Sequence, residues 1–410
     1  MNPQTLFYIL IGILTVDFIA DKILDYFNAK RFDAEIPEPL QDVYDAEAYK
    51  KSQAYKKANY RFSLLTSSFS FVLLMAFFFL HVFGFVDKLA MSISENNIVA
   101  ALIFFGIIML GSSLLGLPFS YYETFVIEEK FGFNKSTKKL FFVDKIKGLV
   151  LGGVLGGGLL SLLIWFYELS GTYFWLYAWV AIALLTVFIN MFYSRLIVPL
   201  FNKQTALEEG TLKAKIENYA AKAGFNLDKI FVIDGSKRST KANAYFSGFG
   251  SQKRVTLYDT LINDLEEDEI VAVLAHEVGH YKRKHIIFNM VASVLLTGLT
   301  LFIFSLFITR PEFSMAIGVT KPSFHAGLIA FGILYSPISE ITGLVMNYFS
   351  RKFEYEADDF AKQTFAAEPL ITSLKKLSKN NLSNLTPHPA YVFVHYSHPT
   401  LLQRINKLKA

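Results

Sequence analysis

Apolar residues run unbroken enough to cross a bilayer in seven places, near 5–24, 63–86, 97–119, 148–167, 173–200, 285–309 and 324–349. Hydrocarbon offers no partner for backbone polar groups, so each stretch is predicted to be a helix. The fold expected is therefore a predominantly α-helical polytopic membrane protein with about seven transmembrane helices. One polar stretch, 201–284, has a different texture. Its apolar spacing predicts a helix over 206–224. The runs Ile230-Phe231-Val232-Ile233 and Val255-Thr256-Leu257-Tyr258 predict strands over 230–234 and 254–258, and 243–249 reads as an exposed edge strand. Asp264-Leu265-Glu266-Glu267 then predicts a helix start, Asp264 as N-cap and Glu267 completing a capping box, with Ile270, Val273 and Leu274 forming its apolar stripe. Four regions follow. Residues 1–200 hold helices one to five and their loops, 201–284 an α+β module, 285–349 helices six and seven, and 350–410 a C-terminal region.

Charge orients this arrangement. Lys and Arg crowd the segments 25–62, 120–147, 201–284 and 350–410 and are nearly absent from the alternate ones. By the positive-inside rule the N-terminus is expected outside, with the C-terminus and the long loops cytoplasmic. The net charge of +5 reflects that bias and does not suggest a nucleic-acid partner. No positive charge precedes the first apolar stretch, which therefore reads as an uncleaved span rather than a signal peptide. Asp17 falls inside it, and an intramembrane carboxylate is expected to face protein or water. The glycines at 152, 153, 156, 157 and 158 are expected to let helices approach closely. There is no cysteine, so thiol catalysis and disulfides are excluded and any metal must be held by His and carboxylate.

Candidate chemistry lies at residues 276–280, His-Glu-Val-Gly-His, where the charged module runs into the sixth apolar stretch. On a helix His276 and His280 sit one turn apart and can share a zinc ion. Glu277, about 100° round the helix, can take a proton as general base without ligating the metal. Catalytic zinc needs a third ligand. Glu354, just past the seventh apolar stretch, is the best candidate, because a short connection makes stretches six and seven an antiparallel pair with neighbouring ends. Asp358, one turn on, is placed to accept the other ring N–H of a ligating histidine. Glu356 is expected to be a surface charge. His81 and His325 fall at outer helix ends and read as interfacial, and His285 as structural. His398, in His395-Tyr396-Ser397-His398-Pro399, could donate to an oxyanion.

Taken together, these residues resemble the type I CAAX prenyl endopeptidases, integral membrane zinc proteases. The resemblance rests on the seven apolar stretches, Phe131-Gly132-Phe133-Asn134-Lys135, Asn243-Ala244-Tyr245-Phe246, the 276–280 motif, Glu354 to Asp358, and His395 to Pro399 followed by Leu401-Leu402-Gln403-Arg404. It implies helices enclosing a water-filled chamber with one zinc per chain. It implies removal of the last three residues from proteins whose fourth-last cysteine carries an isoprenoid. His276, His280 and Glu354 would be ligands, Glu277 the base, and His398 an aid to the transition state. Asn243, with Ala244 and Tyr245, would meet substrate backbone, and Arg404 would order the site. The expected partners are such a peptide and the lipid bilayer, with the chain a monomer. The membrane is that of the endoplasmic reticulum if the source is eukaryotic and the inner membrane if bacterial, and a bacterial source weakens the prenylated substrate. Two other readings stand beside it: a quality-control protease acting on unprenylated membrane proteins, and a transporter or scaffold with a relict metal site.

Overall fold

A computed structural model describes residues 2–225, 230–247 and 254–410. Long helices stand at all seven expected positions: α1 (Pro3–Ala29), α2 (Ala46–Phe79), α4 (Asn97–Tyr122), α5 (Lys138–Ser170), α6 (Phe174–Leu196), α9 (His285–Phe307) and α10 (Phe324–Thr364). By length and composition, five stretches could cross a membrane: Ala46–Phe79, Asn97–Phe131, Lys138–Phe201, His285–Phe307 and Phe324–Thr364. Lys138–Phe201 contains both α5 and α6, turned at Gly171 with φ +57°. Helix α1 carries Asp17, Asp21, Lys22 and Asp25 and is not among the five. It packs on α2 and α10, where Ser336 Oγ donates to Asp17 at 3.1 Å, so the carboxylate does face protein.

Three expectations about local structure are corrected. The second apolar stretch does not run on to residue 86. His81 adopts a left-handed conformation (φ 52°), which closes α2 and starts a separate amphipathic helix, α3 (Val82–Ile93). Of the five glycines between 152 and 158 of α5, Gly152, Gly156 and Gly158 have nothing within 4 Å of where a Cβ would stand. Only Gly153 and Gly157 face another helix, through Met109 and Leu102 of α4. The helix carrying the 276–280 motif, α8 (Glu267–Lys282), is capped by Glu266, whose backbone N–H donates to Glu269 at 2.8 Å. Asp264 instead closes the short helix Asp259–Asp264, because Leu265 is extended between the two.

The polar module holds helix α7 (Thr211–Lys222) and a four-stranded sheet. Its strands are β1 (Gln204–Ala206), β2 (Ile230–Ile233), β3 (Ala244–Ser247) and β4 (Arg254–Tyr258), in the order β1-β2-β4-β3. Strands β2 and β4 run parallel and the other two pairs antiparallel. The expected edge strand is thus at an edge over 244–247, while residues 248–249 lie outside the described residues. Strand β1 had too short an apolar signal to be predicted. The module does not make its core alone. One apolar cluster joins Leu40 and Val43, Phe131 and Phe133, Leu257 and Leu274 from the sheet and α8, and Leu370, Ile405 and Leu408 from the C-terminal region. Phe131 and Phe133 flank Gly132, whose φ of +87° lets both rings enter that core. A second cluster, at the opposite end of α10, contains Phe104, Phe174 and Phe304. Inside it His325 donates to Asp87 at 2.7 Å. His325 is therefore buried with a carboxylate partner, not interfacial as expected.

Candidate metal centre

Helix α8 is buried along most of its length, and its last turns lie against the polar extension of α10. Gly279 permits this approach. A Cβ there would stand 3.0 Å from Ala357 Cα and 3.1 Å from Ala357 O, so any larger residue would push backbone from backbone. The closeness brings Glu354 beside the two histidines. His276 Nε2 lies 3.2 Å from His280 Nε2, Glu354 Oε1 lies 3.2 Å from His280 Nε2, and Glu354 Oε2 lies 3.5 Å from His276 Nε2. These three are, among the described residues, the His and carboxylate group able to hold a metal ion.

The triangle fits zinc. Donors about 2.0–2.1 Å from a tetrahedral ion stand about 3.3 Å from one another. Glu354 is only 4% exposed, and its Oε2 is buried with no well-formed hydrogen bond although Arg404 is 3.3 Å away. A buried carboxylate oxygen without a well-formed hydrogen bond, on a side chain whose two oxygens each face an imidazole Nε2, is what a cation would complete.

The far nitrogens of both rings are held as ligating tautomers require. His276 Nδ1 is 2.9 Å from Asp358 Oδ1, and Arg404 clamps Asp358 with contacts of 2.9 and 2.6 Å. His280 Nδ1 is 3.1 Å from His285 Nδ1, and His285 Nε2 is 3.0 Å from Glu356 Oε2. With Nε2 of His280 turned to the ion, its Nδ1–H donates to His285, whose Nε2–H donates to Glu356. Glu356 is thus not the surface charge expected. His285 is buried, stacked at 4.1 Å on Phe353. Sequence reasoning missed the pair. A signal was present, since Glu356 and Phe353 share the helix that carries Glu354, but nothing local tied that face to His285.

The other expected site residues fall nearby. His398 Nε2 is 3.3 Å from Glu354 Oε1 on a side chain 62% exposed, and its Nδ1 meets Ser397 Oγ at 2.9 Å. His388 caps the helix Pro389–His395, and His395 lies 3.9 Å from Asp21, so neither faces the triangle. Glu277 is hemmed in by protein, and loss of water raises its carboxyl above the ordinary glutamate value. Burial disfavours a proton on His276, yet the Asp358 and Glu354 carboxylates outweigh it and push the metal-free ring up to about 9. Strand β3 packs on α8 and carries Ala244 and Tyr245, with Asn243 immediately before it. The Asn243 carbonyl accepts from Tyr258 N–H at 3.0 Å, and its side chain accepts from the N–H of Ala244 at 2.9 Å. Ser194 of α6 donates to Tyr245 Oη at 3.2 Å.

Two family profiles cover almost the whole chain. "CAAX prenyl protease N-terminal, five membrane helices" matches residues 25–203, and "Peptidase family M48" matches residues 206–410. The CAAX prenyl protease 1 of Saccharomyces cerevisiae is 35% identical, over 98% of this chain and 94% of its own length. A homologue from Dictyostelium discoideum is 38% identical over 91% of this chain and 89% of its own. The crystal structure of S. mikatae Ste24p superposes with a TM-score of 0.94, at 35% identity, covering 99% of both chains.

Proposed function

This chain belongs to peptidase family M48, in the branch that carries the CAAX prenyl protease N-terminal membrane helices, and is a membrane zinc metalloprotease; from that premise we propose that it removes the C-terminal tripeptide of prenylated CAAX proteins. The observation that carries this reading is the extent of the likeness to a CAAX prenyl protease: both the membrane helices and the catalytic region correspond, over 98% of this chain. His276, His280 and Glu354 hold one zinc ion, the role their triangle of donor atoms suits. The division at residues 200, 284 and 349 separates membrane helices, protease module and C-terminal region. The helices enclose a chamber, a reading supported by the likeness of the membrane helices to those of the CAAX prenyl proteases. The chain acts as a monomer, with its C-terminus cytoplasmic, in the endoplasmic-reticulum membrane of a eukaryote or the inner membrane of a bacterium.

When bound, zinc polarises the scissile carbonyl and makes water nucleophilic near neutral pH. The remaining work falls to the chain. Glu277, with its carboxyl raised by burial, takes the proton of the attacking water and passes it to the leaving amine nitrogen. His398 reaches the site from an exposed loop and donates to the developing oxyanion from Nε2. Asp358 and Arg404 keep the His276 ring turned so that Nε2 faces the triangle. The free edge of β3 takes the substrate backbone as an added strand beside Asn243, Ala244 and Tyr245.

The deciding experiment incubates purified, metal-analysed protein with a farnesylated CAAX peptide, wild type beside Glu277→Ala. Release of the last three residues by wild type alone, with zinc equal in both, is the expected result. Turnover is expected to fall by about 10²–10⁴ in the variant. Loss of activity together with loss of zinc would remove Glu277 from the role of base. Cleavage of denatured, unprenylated membrane protein with the farnesylated peptide untouched would make the chain a quality-control protease.

A further inference from the structure

Away from the zinc site, an open cleft of about 580 Å3 lies where helices α5 and α6 meet the sheet. Five cations line it: Lys147 of α5, Arg195 in the last turn of α6, Lys203 just before β1, Lys237 in the turn after β2, and Arg254 of β4. Among the described residues no Asp or Glu lines it. Several cations of the neighbouring segments are, by contrast, held by carboxylates. Arg238 holds Asp144 at 2.7 and 3.0 Å, Lys241 holds Glu128 at 2.9 Å, and Lys215 holds Asp268 at 2.8 Å. Among the described residues none of the five is in an ion pair. Lys147 donates to the Leu200 carbonyl at 2.7 Å, and Arg254 lies over the Phe231 ring at 4.9 Å. Like charges gathered in one concavity repel unless an anion sits among them.

A second observation points the same way. Gln204 also lines the cleft, and its amide nitrogen is buried without a hydrogen-bond partner among the described residues. A donor withheld from water and given no acceptor is unfavourable unless a ligand supplies one. Oxygen acceptors carrying negative charge would answer the cations, and also the amide once the Gln204 side chain turns outward into the cleft. Location narrows the source. Lys147 comes one residue before the apolar run of α5 that begins at Gly148, and Arg195 closes α6 on the same side. The cleft therefore lies at headgroup level, on the side of the membrane that carries the catalytic module. Leu196 and Leu200, 48% and 47% exposed, lie beside the cations in sequence, where acyl chains would run. Basic pockets between transmembrane helices at this level suit phosphorylated lipid headgroups.

We propose that the Lys147–Arg195–Lys203–Lys237–Arg254 cleft binds a phosphorylated lipid headgroup with more than one negative charge, drawn from the leaflet on the catalytic side. The lipid fastens the sheet to the ends of α5 and α6. Nothing in this assignment depends on which peptide the enzyme cuts.

Zinc-loaded full-length protein in neutral detergent is titrated with short-chain phosphatidylinositol bisphosphate, short-chain phosphatidylcholine and inorganic phosphate. Adducts are counted by native mass spectrometry. Wild type is compared with Arg195→Gln/Lys203→Gln/Lys237→Gln, and with Lys213→Gln/Lys215→Gln, which removes paired cations of α7. The phosphoinositide is expected to give one tight adduct with wild type and with the α7 variant. Affinity is expected to weaken by about fivefold for each cation removed from the cleft. Phosphatidylcholine is expected to give no specific adduct. Equal binding by the cleft variant, or equal loss in the α7 variant, would overturn the site. Inorganic phosphate filling the cleft as tightly as the lipid would overturn the lipid as its occupant. Lys237→Gln alone, an exposed turn substitution, decides the matter if the triple variant fails to fold.

Discussion

Glu356 and His285 behave unlike the charged surface residue and inert boundary histidine that their neighbourhoods suggest. A carboxylate 36% exposed holds the outer nitrogen of a buried imidazole, and that imidazole meets the far side of His280. Removing either is expected to loosen His280 without touching the metal. His285→Ala and Glu356→Ala should each weaken zinc binding by about 10–100-fold, the usual result of losing a partner behind a ligand. Release of zinc to a fluorescent chelator measures this; unchanged release rates in both variants would reduce the pair to packing. His276 gives a pH dependence of definite sign. In the metal-free protein the neighbouring carboxylates hold its ring up to about 9, above the ordinary histidine value. Its proton is therefore favourable at low pH and is lost as pH rises through about 9. Zinc must displace that proton, so apparent affinity should fall about tenfold for each pH unit below 9. Competition against a metal buffer across pH reads the slope, and a flat profile would place the proton elsewhere.

At the scale of elements, the close pairing of α8 with α10 decides whether a metal site exists. Three donors from two helices meet only because Gly279 leaves no Cβ between the backbones. Gly279→Ala should destabilise the protein by about 1–3 kcal/mol through overpacking. It should also weaken zinc binding, because the strain is relieved by moving Glu354 away from the histidines. Melting temperature with and without zinc separates the two effects: a variant destabilised equally in both states would show that the helices move without disturbing the triangle. Gly279 was legible in the sequence only as a spacer inside the motif, and its packing role depends on Ala357 and Phe360 of the other helix.

Across the whole molecule, α10 joins two unlike ends. His325 sits in the apolar cluster at one end and Glu354 at the zinc triangle near the other, about 44 Å apart by helical rise. The Asp87–His325 pair is buried, so Asp87→Ala leaves an imidazole N–H without its acceptor and should cost about 1–3 kcal/mol. Zinc stoichiometry of the folded fraction should not change, since no donor lies at that end. Metal analysis of the fraction surviving a heat step tests this, and lost zinc would mean that the two ends are coupled through α10. The core beneath the catalytic module likewise belongs to the whole chain, drawing on the first two polar loops and the C-terminal helices.

Hydropathy and spacing are local properties, and the features that depend on them alone were readable from the chain. These include the positions of the long helices, the two-histidine motif with its glutamate, the strands at 230–233 and 254–258, and Glu354 and Asp358 on one helical face. Helix ends were less legible. His81 closed a helix that the apolar run would have continued, and Leu265 moved the cap from Asp264 to Glu266. What tertiary structure alone decided was which faces meet. It brought Glu354 within 3.5 Å of both histidines, set Glu356 behind His285, and gathered around Gln204 five cations that are in no ion pair among the described residues. Each of these is a contact between segments far apart in sequence. Its existence turns on backbone separations of a few tenths of an ångström, which side-chain period and composition do not encode.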